Sequence, residues 1–254
     1  MESPPVGGGN VGERTGTMRV STVIAEGHHT YHEAIAEAEQ PAPGKFEDER
    51  EHSTIEADEM RRLLTTLEAR DGYSGEHSRA VMGLAAEVAR RMGLPEEEVR
   101  VVGDAALLHD IGKASTPDPV LKKRGPLDEG ERELMQAHVE VGARMVASVA
   151  GLAHLAPLVR ATRERWDGRG YPDGLEGEEI PLASRIVPAC DAWHAMTSDR
   201  PYREALDVGS WIREFEENVG RQFDPRVVLA LVEVLKTRYL LPGGFGVPSA
   251  RLST

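Results

Sequence analysis

The stretch Val101-Val102-Gly103-Asp104-Ala105-Ala106-Leu107-Leu108-His109-Asp110-Ile111-Gly112-Lys113 decides the reading of this chain. Val101, Ala105, Leu108 and His109 fall at i, i+4, i+7 and i+8, one face of an α-helix. The run therefore predicts a buried helix that ends in an imidazole and a carboxylate side by side. Burying such a pair without partners costs several kcal/mol, so the site needs a reason. A bound metal is one reason; a core histidine satisfied by its neighbour is the other.

Working outward, the same pattern recurs on three more predicted helices. His77 shares a stripe with Ala80, Val81, Leu84 and Val88 in a helix over 76–92. His138 shares one with Leu134, Val141 and Met145 in a helix over 131–149, and Asp191 lies with Ile186, Val187, Cys190 and His194 over 182–196. Independent satisfied histidines explain one or two such stripes. Four point to one shared metal site. Imidazole and carboxylate donors without thiolate suit iron, manganese, zinc or a similar divalent ion, and select poorly among them.

Composition bounds the rest. The 254 residues, 40% hydrophobic, suffice for one sizeable core and one structured domain. A net charge of −13 repels nucleic-acid backbones and anionic membranes, so neither is expected as a partner. The single cysteine, Cys190, excludes an intrachain disulfide framework and fits a reducing cytoplasm. On its apolar stripe it reads as a small buried hydrophobe rather than a nucleophile. No apolar run approaches the roughly 18 residues of a membrane span, and the start, Met1-Glu2-Ser3-Pro4-Pro5, lacks a secretion signal's basic and apolar regions.

Residues 1–50 are rich in Gly, Pro and Glu and are expected to be disordered, or to order only on a signalling partner. They contain one strand-like run, Met18 to Ala25. Their histidines, His28, His29 and His32, have no second ligand cluster nearby and read as a solvated patch. The helical domain is expected over 51–240. It opens at a capping box of Ser53 and Glu56, ahead of Met60, Leu63, Leu64 and Leu67. Breaks are expected at Gly93-Leu94-Pro95, from Gly112 to Pro126 and from Gly168 to Pro181, with a start signal at Asp128 and Glu131. Residues 241–254 are expected to form a flexible tail. The predicted fold class is all-α.

Assembled, His77, His109-Asp110 and Asp191 resemble the HD superfamily of metal-dependent phosphohydrolases. The loop Arg165-Trp166-Asp167-Gly168-Arg169-Gly170-Tyr171-Pro172, then Gly174-Leu175 and Ile180-Pro181, narrows the resemblance to the HD-GYP group. Asp199-Arg200-Pro201-Tyr202-Arg203 and Phe223-Asp224-Pro225 extend it, so that it covers about Asp71 to Leu231. The resemblance implies a helical bundle with a turn-rich GYP loop. It also implies hydrolysis of cyclic di-GMP, a bacterial second messenger, or of a related nucleotide, at a centre of two or three metals. The first metal would be held by His77, His109, Asp110 and Asp191, with Asp110 bridging to a second metal that His138 also holds. Asp110 and Lys113 would be the catalytic residues, and Lys113, Arg200 and Arg203 would hold phosphates.

The chain departs from that pattern at three places. Thr162 and Arg163 stand where two consecutive histidines would complete the second metal site; neither replaces an imidazole, since arginine has no lone pair to give. His194 stands where a second aspartate follows Asp191, and reads either as a ligand or as a pocket histidine. Tyr73 stands where a third-metal carboxylate would sit. His154, eight residues before Thr162, is too distant along a continuous helix to substitute. One divalent metal per chain is therefore expected. Arg163 either supplies the missing cation's charge and clamps a phosphate, or marks decay of the site, paired to Glu164, His138 or a nearby carboxylate. The function read from the sequence is a metal-dependent phosphodiesterase with an impaired second site. The alternatives are a degenerate cyclic di-GMP receptor and a mononuclear nucleotide phosphohydrolase.

Overall fold

The structure, a computed structural model, describes residues 58–65, 67–68, 74–198 and 208–240. The expectations for residues 1–50, the Ser53 capping box, Tyr73, Arg200, Arg203 and the tail from 241 lie outside the described residues.

After a leading helical segment within 58–68, the elements are α1 (Ser74–Arg91), α2 (Glu96–Leu108), α3 (Asp118–Leu121), α4 (Glu129–Gln136), α5 (His138–Ala147), α6 (Ala156–Arg160), α7 (Leu182–Thr197), α8 (Val208–Asn218) and α9 (Pro225–Leu240). Short 3-10 turns at Ile111–Ser115, Ala150–Leu155, Ala161–Arg163 and Gly177–Glu179 join them. Among the described residues there is no strand, only the isolated bridges Asp167 with Glu176 and Val219 with Phe223. The all-α expectation holds. No helix among these residues is long and apolar enough to cross a membrane.

Local chemistry sets the boundaries. Helix α1 ends where Gly93 turns left-handed (φ 82°) and Leu94 N–H donates back to Ala89 O at 3.1 Å, as the Gly-Leu-Pro break predicts. Asp128 and Glu131 cap α4 reciprocally, each side chain accepting the other's backbone N–H at 2.9 Å. Asp224 opens α9 by accepting Arg226 N–H at 2.8 Å, with Pro225 at the first helical position, where no N–H is needed.

Two expected helices are corrected. The helix over 131–149 is broken at Ala137, where the Met135 carbonyl accepts from the His138 ring at 2.6 Å. Leu134 is 50% exposed and α4 buries none of its residues, whereas the buried face of α5 is His138, Val139, Gly142, Ala143 and Val146. The stretch from Ala150 to Arg163 is a 3-10 turn, the short helix α6 and a second 3-10 turn rather than one continuous helix. His154 is excluded by exposure instead of by distance along a helix.

The core has two parts. Val81, Leu84, Val88, Val102, Ile186, Cys190, Phe215 and Leu231 centre the larger one, among α1, α2, α7, α8 and α9. Leu64, Leu67, Leu108, Ile111, Val146, Leu152 and Val159 centre the smaller one, on the other side of α2. The C-terminal end of α2 thus borders both, and it delivers His109 and Asp110 to the seam.

Candidate metal centre

Three long helices bring the first donors together. His77 comes from the first turns of α1, His109 caps α2, and Asp191 lies in α7. One donor atom from each of these residues lies within 4.8 Å of the others. The neighbouring Asp110 puts Oδ2 3.4 Å from His109 Nε2. His77 Nε2 sits 3.1 Å from Asp191 Oδ1. All of these side chains are at least largely buried.

Each imidazole is oriented by its other nitrogen. His109 Nδ1 donates to Ala106 O and His138 Nδ1 to Met135 O, both at 2.6 Å. That fixes the tautomer and turns both Nε2 atoms into the pocket, where neither has a hydrogen-bond partner. Two orphaned imidazole nitrogens beside two carboxylates form a donor set that fits a divalent ion, and the carbonyl bond behind each ring is the support such ligands need. His77 is held by His194, Nδ1 to Nδ1 at 2.9 Å. For His77 to present the Nε2 lone pair, its Nδ1 must donate and His194 must accept. His194 is therefore a positioning residue, and its own ring reaches Ser198 Oγ at 3.3 Å.

The remaining half of the pocket is built from short elements. Gly112 lets the 3-10 turn after Asp110 lie flat on α5; a Cβ there would collide with the His138 carbonyl oxygen and the Gly142 amide. This contact brings His138 Nε2 to 3.6 Å from Asp110 Oδ1. Thr162 is buried with its hydroxyl donating to Val159 O at 2.8 Å, so it is committed to its own turn. Arg163 points inward and forks: Nη1 donates to Asp191 Oδ2 at 2.8 Å and Nη2 to Asp110 Oδ1 at 2.9 Å. Of the pairings open from sequence, it takes the carboxylates. Glu164 instead accepts Asp173 N–H at 2.7 Å and Gly174 N–H at 3.1 Å. Lys113 Nζ donates to Asp110 Oδ2 at 2.6 Å.

The electrostatics follow from these contacts. Burial pushes the His138 imidazole down to about 4, with Arg163 and Lys113 adding to the effect against Asp110; it is neutral at pH 7, with a free lone pair. Burial would raise both carboxyls. Arg163, His77 and His109 together outweigh it at Asp191, and His109, Lys113 and Arg163 together outweigh it at Asp110, so both stay well below the ordinary range. For His109, burial is overcome by Asp110 and Asp191, and its pKa is raised. A proton on that ring competes with any ion, so acid should weaken metal binding. Burial raises the Cys190 thiol, in keeping with an inert core position.

The loop from 164 to 181 lies beside Arg163. Glu164, itself buried, anchors its middle. Arg165 forks onto Asp167 with both bonds at 2.9 Å, and Arg185 donates to Asp224 at 2.8 Å while lying over the Trp166 ring at 5.7 Å. Tyr171 N–H donates to Arg163 O at 3.2 Å. The clamp by Glu164 escaped sequence reasoning, because nothing local marks a carboxylate that serves amides nine and ten residues on.

Fold and donor set together define an α-helical domain of the His-Asp type. An HD domain model matches residues 61–227, and the chain belongs to that family. A cyclic di-GMP phosphodiesterase response regulator of Xanthomonas campestris is 39% identical over 206 residues, 80% of this chain and 53% of that protein. A 3′3′-cGAMP-specific phosphodiesterase of Vibrio cholerae is 36% identical over 173 residues, 67% of this chain and 33% of that protein. Among solved structures, an HDG"Y"P protein from Bdellovibrio bacteriovorus superposes with a TM-score of 0.56 at 16% identity, covering 74% of this chain and 64% of that one. That last likeness is one of fold. The chain spans about half the length, or less, of the two curated relatives.

Proposed function

We propose that this chain is a metal-dependent phosphodiesterase of the HD-GYP type, acting on cyclic di-GMP or a closely related cyclic dinucleotide with one resident divalent ion. The observation that carries it is the pair of buried imidazoles, His109 and His138, each tied back to a carbonyl and each aiming an unpartnered Nε2 at the carboxylates. His77, His109, Asp110 and Asp191 would hold the ion; iron, manganese or a similar metal suits these donors. When bound, such an ion lowers the pKa of a water and polarises a phosphoryl oxygen.

The chain's own groups supply the rest. Lys113, 25% exposed at its side chain, is the cation nearest both Asp110 and solvent, and can turn from the carboxylate to an incoming phosphate. Arg163 and Lys113 together offset the two carboxylates, so an anionic substrate meets a pocket without net repulsion. Arg200 and Arg203 are proposed phosphate contacts on the strength of their motif. The turn-rich loop, anchored through Glu164, gives the pocket a fixed wall. The N-terminal residues are proposed to carry the signalling contact.

A second reading, a receptor that binds the dinucleotide without cleaving it, is favoured by one observation: Arg163 occupies oxygens of both ligand carboxylates. One preparation of the full chain separates the two, assayed for metal content and for cyclic di-GMP turnover. The phosphodiesterase reading expects turnover that a chelator abolishes and added metal restores. Tight binding of cyclic di-GMP by metal-loaded protein with no turnover would establish the receptor instead. Turnover of linear nucleotides alone would point to a mononuclear nucleotide phosphohydrolase.

A further inference from the structure

Each carboxylate at the centre has two oxygens, and the structure divides them. Asp191 Oδ1 faces His77 Nε2 at 3.1 Å, and Asp110 Oδ2 faces His109 Nε2 at 3.4 Å. The other two, Asp191 Oδ2 and Asp110 Oδ1, accept from Arg163 at 2.8 and 2.9 Å. Asp110 Oδ1 is also the oxygen 3.6 Å from the orphaned His138 Nε2. An imidazole and a carboxylate oxygen converging in a buried pocket make half of a cation site, and the cation found against them is the guanidinium.

We infer that Arg163 is a tethered cation in the place of a second metal, limiting the centre to one ion by holding Asp110 Oδ1 and Asp191 Oδ2. The inference rests on the proposed function only in taking His77, His109, Asp110 and Asp191 as ligands. Arg163 and the first ion are compatible, because Asp191 Oδ1 beside His77 and Asp110 Oδ2 beside His109 are not held by the fork, although Asp191 Oδ2, which it does hold, also lies 4.0 Å from His109 Nε2. Lys113 shares Asp110 Oδ2, but its flexible, partly exposed stem can withdraw. A second ion, in contrast, needs Asp110 Oδ1 and must displace a charge-assisted hydrogen bond of a fork that is 23% exposed at its side chain.

The exchange of a metal for a guanidinium is not neutral in chemistry. Arginine has no lone pair and keeps its proton, so it can offset charge and donate hydrogen bonds but cannot bind or acidify a water. One of the two tasks of a paired centre is retained and the other is lost.

The test is metal titration of the stripped 254-residue chain, by calorimetry and by chelator competition, with manganese as the probe. Wild type should take one equivalent. Thr162→His with Arg163→His should take two, since it removes the tethered charge and returns two imidazoles beside His138. Arg163→Ala should bind its first ion at least tenfold more tightly, because the guanidinium no longer competes with it for both carboxylates, whereas Arg163→Lys should stay within about threefold of wild type. Circular dichroism screens each variant for folding; if the alanine variant fails to fold, the histidine pair and the lysine variant carry the decision. Two equivalents on wild type, or one on a folded double-histidine variant, would overturn the inference, as would unchanged affinity in folded Arg163→Ala. The expected stoichiometries with no cyclic di-GMP turnover would sink the phosphodiesterase reading and leave this one standing.

Discussion

The two halves of the centre are built on different principles. The His77, His109 and Asp191 half hangs on three long helices that share the larger core, so each side chain's direction is set by many packed neighbours. The His138 and Arg163 half is assembled from a helix start, two 3-10 turns and a close backbone contact at Gly112. A donor on a long packed helix moves only if the core moves. A donor on a turn is held by a few specific bonds, and its residue type can change with little cost to the fold. Two of the departures from the family's pattern, Thr162 and Arg163, fall in the second half, while His194 lies in the first, behind His77.

The largest expected effect joins the halves. Asp110 faces His109 and Lys113 with one oxygen and Arg163 and His138 with the other. Asp110→Ala should reduce bound metal to background by elemental analysis. Unchanged metal content would mean that the halves do not share this carboxylate and that its assignment as a ligand is wrong.

Next comes Gly112→Ala, which should pry the halves apart. The added methyl group meets backbone of α5, which cannot rotate away. A loss of about 3 kcal/mol or more is expected in chemical denaturation. In whatever variant remains folded, the first metal should be retained. A neutral result would show that the turn and α5 are not held in contact.

A smaller effect sharpens the first half alone. Removing the acceptor behind His77 with His194→Ala should weaken metal binding about tenfold at unchanged stoichiometry. His194→Gln, whose carbonyl can take the same hydrogen, should restore most of it. A structural role without orientation would give equal losses for both. The smallest effect concerns residues 1–50. Their removal should leave metal content unchanged and the thermal midpoint within a few degrees, because they offer little apolar surface to pack. A large drop would show that Met18 to Ala25 docks on the helices.

The same division governs how much the sequence reveals. The stripes of His77, His109 and Asp191 are legible because long buried helices repeat every 3.6 residues, and α1, α2 and α7 are such helices. Around His138 the periodic reading fails: it joins α4 to α5 and buries Leu134, whereas α4 packs none of its residues into the core. The inward direction of Arg163 is legible from Leu155 and Val159, both buried on the preceding turns. Its partners are not, since they lie 28 and 53 residues away and the choice among them is made by tertiary packing. Lys113 is read as a phosphate group from its motif, yet in the structure it faces Asp110 three residues before it, a local ion pair that the motif reading passed over.

Cys190 has so far served only as an inert piece of the core, but its address gives it a use. It is the sole thiol of the chain, fully buried, and the residue immediately before Asp191. An alkylating reagent can reach it only when α7 opens, so the labelling rate is a stopwatch for the breathing of the ligand helix. No engineered reporter is needed, and every labelled molecule carries one tag at one known place. An ion gripping Asp191 should slow that clock in proportion to its affinity, turning the dullest residue of the centre into its gauge.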